Sequence, residues 1–196
     1  IVSRDWSSDV CSSDLVMNPL DIIAKYYPAS SDVYRILVMH SRSVADKALA
    51  IARMHPEMNL DLTFIEEAAM LHDIGIFRCN APDIDCHGEA EYICHGYLGA
   101  ELMRAEGYPR HARVCERHTG TGITLAMIEE RNLPLPHRDF MPETLEEQLV
   151  CFADKFYSKT KLDKEKSVEK VKQGLSKYGN ETVERFDNWC KLFLGE

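Results

Sequence analysis

Apolar residues recur at helical spacing along the chain from Met17 onward. Between Ser31 and His55 they fall at three- and four-residue intervals, which predicts one long amphipathic helix with Ser31 as its N-cap. No segment shows the strict alternation of apolar and polar residues that is typical of a half-buried strand. The pattern therefore predicts an all-α fold, a single-domain helical bundle.

Caps and turn residues set the bounds of the other predicted helices. Capping boxes at Thr63–Glu66 and Thr144–Glu147 open two of them. The segment 76–91 contains Pro, Gly, Asp and Cys without a period, so we predict a loop over a site there. The predicted helices cover about 19–27, 31–55, 63–75, 92–106, 109–118, 123–131, 144–159, 162–178 and 182–194.

The first fifteen residues differ from everything that follows. They repeat Ser-Ser-Asp and have no helical periodicity. We interpret residues 1–16 either as a non-native tail, similar to a translated adapter fragment, or as a disordered native tail. The predicted helical domain covers 17–196, with a core at about 34–159 and C-terminal helices at about 162–194.

Charge and composition narrow the classes of partner. The chain has 196 residues and a formal net charge of −9, which gives no electrostatic footprint for nucleic acid. No run approaches the roughly 18 apolar residues of a membrane span, and we find no secretory signal. Seven scattered cysteines without a C-x-x-C pair predict reduced thiols in a cytoplasmic protein.

A histidine and an aspartate stand side by side at the end of an apolar predicted helix. His72 and Asp73 follow Ala-Ala-Met-Leu, and Gly75 then allows the backbone to turn away. Buried charge is costly unless it is paired or bound to a metal. Taken alone, the pair is also compatible with a hydrogen-bonded helix terminus.

Two further polar residues lie in apolar surroundings. His40 is on the apolar face of the long predicted helix, and Asp154 is within Val-Cys-Phe-Ala-Asp-Lys-Phe. A metal shared with His72 and Asp73 accounts for all four residues. Histidine and carboxylate ligands suit Fe, Mn, Co, Ni or Zn, so a divalent transition metal is the predicted cofactor, with Fe or Mn favoured.

The order His40, then His72-Asp73-Ile74-Gly75, then Asp154 resembles the HD superfamily of phosphohydrolases. The resemblance covers roughly Tyr34 to Lys159. It implies a helical fold of the HD-domain type and a metal held by His40, His72, Asp73 and Asp154. It also implies that His72 and Asp73 are at the catalytic centre.

Two intermediate histidines extend the resemblance. His95 and His118 complete the order H…HD…H…H…D. In the similar branch, which hydrolyses dinucleoside polyphosphates, such histidines bind a second metal and the Asp of the pair, here Asp73, bridges both ions. The alternative is a one-metal site in which His95 and His118 contact the substrate phosphate. His87, in the predicted loop, is a weaker candidate.

The resemblance to the cyclic-dinucleotide branch is poorer. That branch has Lys after the HDIG tetrapeptide, whereas this chain has Ile76. Its Gly-Tyr-Pro follows the paired histidines, whereas Gly107-Tyr108-Pro109 precedes His118. Cyclic dinucleotides are therefore not the expected substrates.

The predicted function is hydrolysis of a small phosphate ester or anhydride, a nucleotide being favoured, by attack of metal-bound hydroxide. Arg117 and Lys155, next to ligands, are candidates to bind the substrate phosphate, or else solvated surface charges. The lysine-rich stretch Lys155–Lys177 is predicted to be a solvated helix face. Two alternatives stay open: a mixed-valent diiron oxygenase on the same ligands, and a non-catalytic nucleotide-binding module. A homodimer is compatible with the sequence.

Overall fold

A computed structural model describes residues 17–162 and 164–195, so the predicted tail at 1–16 lies outside the described residues. Within this part of the chain there are nine α-helices and one two-stranded ladder, which confirms the all-α fold class. The elements are α1 (Pro19–Tyr26), α2 (Asp32–Met54), α3 (Leu62–Leu71), β1 (Asn80–Ala81), β2 (Cys86–His87), α4 (His95–Ala105), α5 (Pro109–Arg117), α6 (Leu125–Arg131), α7 (Leu145–Asp154), α8 (Val168–Leu175) and α9 (Asn180–Leu194).

The start of α3 differs from the prediction. The helix begins at Leu62, and the side chain of Asp61 accepts a hydrogen bond from the Phe64 amide at 3.0 Å. Aspartate is at least as good an N-cap as threonine, so the earlier residue takes the cap and Thr63 lies inside the first turn. At α2 and α7 the predicted caps Ser31 and Thr144 are confirmed.

The predicted loop at 76–91 contains regular structure that the sequence pattern did not indicate. β1 and β2 pair antiparallel, with Asn80 opposite His87. A 3-10 turn and Asp85 in the left-handed conformation (φ 57°) connect them. The expectation of no strand was therefore wrong. Strands of two residues are too short to show the alternation of apolar and polar residues on which that expectation was based.

The end of α7 comes five residues earlier than predicted. The amide of Lys155 bonds to the carbonyl groups of both Ala153 and Phe152, which closes the helix at Asp154. The next helix begins only at Val168, capped by the Ser167 hydroxyl. The two predicted helices at 144–159 and 162–178 are therefore shorter, and a non-helical connection carries several lysines past the end of α7.

The core is formed where α2, α3, α5 and α7 pack against one another. Leu37, Ile65 and Phe152 are completely buried there, and each such side chain contributes about 1.5–3 kcal/mol. α9 closes one side, because Phe186 and Phe193 pack on Phe152. None of the described helices is both long and apolar enough to cross a lipid bilayer.

Gly75 determines how closely α3 and α4 approach. Its φ of −85° is ordinary for any residue, so the expectation that its backbone freedom turns the chain was wrong. A Cβ at Gly75 would lie 2.2 Å from the carbonyl oxygen of His95 and 2.4 Å from the amide nitrogen of Gly99. The glycine is thus needed for space, and it brings the end of α3 against the start of α4.

Candidate metal centre

Five helices converge on one buried cluster of histidine and aspartate side chains. Four of the residues lie at or just past a helix terminus, and another begins α4, whereas the sixth is in the middle of α2. The side chains are between 0 and 12% exposed. The cluster consists of His40, His72, Asp73, His95, His118 and Asp154.

One half of the cluster is built on α2, α3 and α7. Nε2 of His40 lies 3.1 Å from Oδ2 of Asp73 and 3.0 Å from Oδ1 of Asp154. Nε2 of His72 lies 2.9 Å and 3.4 Å from the same two oxygens. Four potential ligand atoms therefore surround one point.

The other half is built on α4 and α5. Oδ1 of Asp73 lies 3.3 Å from Nε2 of His95 and 3.4 Å from Nε2 of His118. The two nitrogens are 3.0 Å apart. Each oxygen of Asp73 thus faces a different set of histidines, which is the arrangement of a bridging carboxylate.

Backbone carbonyl groups fix the orientation of three of the rings. Nδ1 of His72, His95 and His118 lies 2.6, 2.6 and 2.7 Å from the carbonyl oxygen three residues earlier. A carbonyl only accepts, so each Nδ1 carries a hydrogen and each Nε2 is the nitrogen that faces the cluster. Histidines that bind metals are held in this way by their second nitrogen.

The side chains of the cluster do not satisfy one another's hydrogen-bonding groups, and a bound cation would satisfy them. Nε2 of His72 and both oxygens of Asp73 are buried without a hydrogen bond of regular geometry. Burial by itself would lower the pKa of His72, but Asp73 and Asp154 outweigh it and raise that pKa to about 9. Burial lowers the pKa of His95 to about 3, so its lone pair is available at neutral pH. The donor atoms suit a divalent transition metal without selecting one.

Lys159 is a member of the site that the sequence did not indicate. Its Nζ lies 2.5 Å from Oδ2 of Asp73, and its side chain is 13% exposed. Burial alone would raise the pKa of Asp73, but the positive charges of His72 and Lys159 hold it well below its usual range. Lys159 lies past the end of α7, in the connection to α8, and this position places it beside Asp73. Tyr92 was also missed, and its ring stacks on His95 at 4.6 Å.

The two candidate phosphate ligands are placed differently. Nζ of Lys155 lies 2.7 Å from Oδ2 of Asp154 and donates to the His118 carbonyl at 2.9 Å, so it is at the edge of the cluster. Arg117 does not reach the cluster. Its guanidinium donates to the Met141 carbonyl at 2.9 Å and pairs with Glu143 at 2.7 Å, because neighbouring residues on a helix point about 100° apart.

The weaker candidate His87 is also not brought to the cluster. It is exposed on β2, where it lies 3.1 Å from Asp85. His111, on α5, pairs instead with Glu67 at 3.1 Å.

A cavity adjoins each half of the cluster. His40 and Asp154 line the larger one, of about 580 Å³, together with five lysines between Lys155 and Lys177. The expectation that this lysine-rich stretch is a solvated helix face is wrong for Lys155 and Lys159, which lie past the end of α7 and are 11 and 13% exposed, whereas Lys170 and Lys177 are exposed. His95 and Tyr92 line the smaller cavity, of about 270 Å³, whose other walls are mostly apolar.

Comparison with known proteins identifies the class. The family model described as HD domain matches residues 37–158, more than half of the chain and the range that contains all six cluster residues. The chain belongs to the HD domain family. The family and the cluster together indicate a site for divalent metal, whose identity they leave open.

Individual relatives are similar over part of their length. A protein of Thermoplasma volcanium named tRNA (cytidine(56)-2'-O)-methyltransferase is 34% identical over 140 residues, 71% of this chain and 35% of that protein. A protein of the same name from Picrophilus torridus is 32% identical over 149 residues, 76% of this chain and 37% of that protein. The chain thus spans about a third of the length of these relatives.

Two other comparisons concern shorter proteins. An uncharacterized protein of Methanocaldococcus jannaschii is 37% identical over 128 residues, 64% of this chain and 68% of that protein. The crystal structure of the HD domain of L. monocytogenes phosphodiesterase PgpH superimposes with a TM-score of 0.49 and 14% identity. That match covers 87% of this chain and 93% of the other.

Proposed function

We propose that the chain is a metal-dependent phosphohydrolase that acts on a small phosphate ester or anhydride, with a nucleotide as the substrate class. The observation that carries the proposal is the position of Asp73, whose two oxygens face two separate sets of ligand atoms. This geometry suits two ions that share one carboxylate.

The six cluster residues would hold divalent ions, which supply water of lowered pKa and positive charge toward the phosphoryl oxygens. Hydrolysis forms one bond from the water oxygen to phosphorus and breaks one bond from phosphorus to the leaving oxygen, which takes up a proton. Lys155 and Lys159 place two ammonium groups beside Asp154 and Asp73. Fixed positive charge at this position stabilises the charge that develops on the phosphoryl oxygens.

The smaller cavity supports a nucleotide as the substrate. It begins at His95 and Tyr92, and its further walls include Ile123, Met127 and Leu133. An apolar cavity of this kind accepts the flat face of a base, with the phosphate left at the cluster. The methyltransferase activity named for the relatives is not part of the proposal, because the chain covers about a third of those proteins.

The test combines metal content with activity. Elemental analysis of the purified chain should find about two divalent ions per chain, and the loaded protein should hydrolyse nucleoside triphosphates or bis(p-nitrophenyl) phosphate. Asp73→Asn should lose both ions and at least about a hundredfold in activity, since even the outer partners of metal ligands are worth 10–100-fold. Asp46→Asn, an exposed carboxylate on α2, is the matched control and should change neither.

Three results would contradict the proposal. A fully active and metal-loaded Asp73→Asn variant would overturn the site assignment. Consumption of O₂ by an iron-loaded protein that hydrolyses no phosphate would favour the diiron oxygenase. Failure to take up Mn, Fe, Ni or Co would favour a non-catalytic nucleotide-binding module.

A further inference from the structure

The larger cavity is strongly basic in an acidic protein. The chain carries 32 acidic and 23 basic residues, yet among the residues that the structure describes five lysines and a single carboxylate, Asp154, line this cavity. Such a local excess of one charge over the opposite balance of the whole chain indicates an anionic ligand. The lysines are Lys155, Lys159, Lys166, Lys170 and Lys177.

These lysines form two groups. Lys155 and Lys159 are paired with carboxylates of the metal cluster. The other three make no ion pair among the residues that the structure describes. Lys166 donates to the carbonyl oxygens of Lys155 and Tyr157 at 3.2 and 3.0 Å, which fixes its ammonium near the end of α7. Within the described part of the chain, the cavity thus has positive charge paired with the cluster carboxylates and, beyond the cluster, positive charge without an ion-pair partner.

The lysines beyond the cluster are spread over a distance greater than the size of one phosphate group. Lys170 lies on α8 and Lys177 in the 3-10 turn that follows it. They are seven positions apart in the chain, which is about 10 Å along a helix. A single phosphate at the cluster faces Lys155 and Lys159, so it leaves the more distant lysines without an anion.

We propose that Lys166, Lys170 and Lys177 form a subsite for a phosphate chain, so that the substrate carries two or more linked phosphates rather than one. The inference rests on the proposed function and names its substrate class. Lysine ammonium groups bind phosphate as point charges on flexible stems, which suits a chain of phosphates better than a planar carboxylate. Tyr178 lines both cavities, so a nucleoside polyphosphate fits with its base in the apolar cavity and its phosphates among the lysines.

The same helix offers a matched control. Lys172 points toward α9, where its Nζ lies 2.7 Å from Asp187, and it does not line the cavity. Lys170, Lys172 and Lys177 all lie between residues 168 and 178. Removing Lys172 therefore changes the charge of the same segment without changing the cavity.

The experiment measures binding of inorganic tripolyphosphate and of orthophosphate by calorimetry. It uses the manganese-loaded chain, freed of unbound metal, with metal content checked after each titration. Lys170→Ala combined with Lys177→Ala should raise the Kd for tripolyphosphate about tenfold or more and leave the Kd for orthophosphate unchanged. Lys172→Ala should bind both anions as the unaltered chain does.

The outcomes separate this inference from the proposed function. Equal tripolyphosphate affinity in the double variant and the unaltered chain would overturn the subsite, even if the protein hydrolyses bis(p-nitrophenyl) phosphate. A lysine-dependent affinity in a protein that hydrolyses no phosphate compound would support the subsite and contradict the proposed function. Lysine-dependent affinity together with unchanged hydrolysis of bis(p-nitrophenyl) phosphate would support both.

Discussion

At the scale of single residues, the metal centre depends on which ring nitrogen of each histidine is not used in a hydrogen bond to the backbone. Backbone carbonyl groups occupy Nδ1 of His72, His95 and His118, so three Nε2 atoms are directed at Asp73. The side chain of Arg117, in contrast, is not directed at the cluster. It is adjacent to His118 in the chain, but its charge is neutralised by Glu143 and it takes no part in the cluster.

The two halves of the cluster can be separated by substitution. His118→Ala should reduce the metal content from about two ions per chain to about one, because it removes a ligand from only the half built on α4 and α5. His40→Ala should remove the other ion. Elemental analysis is the measurement, and His111→Gln, a buried histidine of the same helix α5, is the control. A content of about one ion in both the unaltered chain and His118→Ala would reduce the centre to one ion, with His95 and His118 left to contact the phosphate.

At the scale of elements, helix ends rather than helix faces build the site. α3, α5 and α7 each end at or just before a ligand, and α4 begins with one. The last turn of a helix has free carbonyl groups, so it can orient a histidine that immediately follows. The early end of α7 also leaves Lys159 in the connection to α8, beside Asp73.

The close approach of α3 and α4 gives a prediction for stability. Gly75→Ala should lower the free energy of unfolding by about 3 kcal/mol, and Tm by roughly 6–12 °C, since the new methyl group meets backbone atoms that cannot rotate away. Gly174→Ala on α8 has open space around it and should instead stabilise the chain by up to about 1 kcal/mol. Thermal unfolding measures both. A Gly75→Ala variant with unchanged Tm would contradict the close contact between the two helices.

The contact between α3 and α5 gives a pH dependence. His111 packs against the Phe64 ring at 4.9 Å, and burial lowers its pKa from 6.5 to about 4. As the pH falls below 6.5 the unfolded chain takes up this proton first, so the free energy of unfolding decreases until about pH 4. His111→Gln should remove about 1 kcal/mol of this decrease between about pH 7 and about pH 5.

Urea unfolding of both proteins at the two pH values measures that difference. Loss of metal at the lower pH affects both proteins alike, so only the difference between them reports on His111. Equal losses of stability would show that the pKa of His111 is not lowered in the folded chain.

At the scale of the whole molecule, overall charge and local charge have opposite signs. The chain as a whole repels anions at −9, whereas the larger cavity attracts them through its lysines. Long-range repulsion is screened by salt more readily than contacts inside a cavity. We therefore expect small anions to bind at the site more readily than a large polyanion binds across the surface.

Salt should therefore weaken the binding of anions to the lysines of the larger cavity. Raising the ionic strength from about 0.01 M to about 1 M shortens the Debye length from about 30 Å to about 3 Å. The Kd of the unaltered chain for tripolyphosphate should rise over this range, and that of the Lys170→Ala, Lys177→Ala variant should rise less steeply. Parallel slopes would show that the two lysines do not contact the anion.

The sequence by itself determined the helical fold class, because helical periodicity and caps such as Ser31 and Thr144 are local properties. It also indicated the cluster residues. Histidines and aspartates in apolar segments need a partner, and the order H…HD…H…H…D is readable along the chain. The sequence predicted the exact starts and ends of helices less well. The side chain of Asp61 caps α3 in place of Thr63, and hydrogen bonds of the Lys155 amide end α7 at Asp154.

Only the tertiary structure decided how charge is distributed around the cluster. Lys159 and Arg117 look alike in sequence, as basic residues close to ligands. The chain turns after α7, which brings Lys159 to Asp73, whereas Arg117 pairs with Glu143 from a distant segment. The position of Asp73 between the two halves of the cluster depends on the close packing of α3 and α4 at Gly75. These contacts join residues that are far apart in the chain, so a local sequence pattern does not predict them.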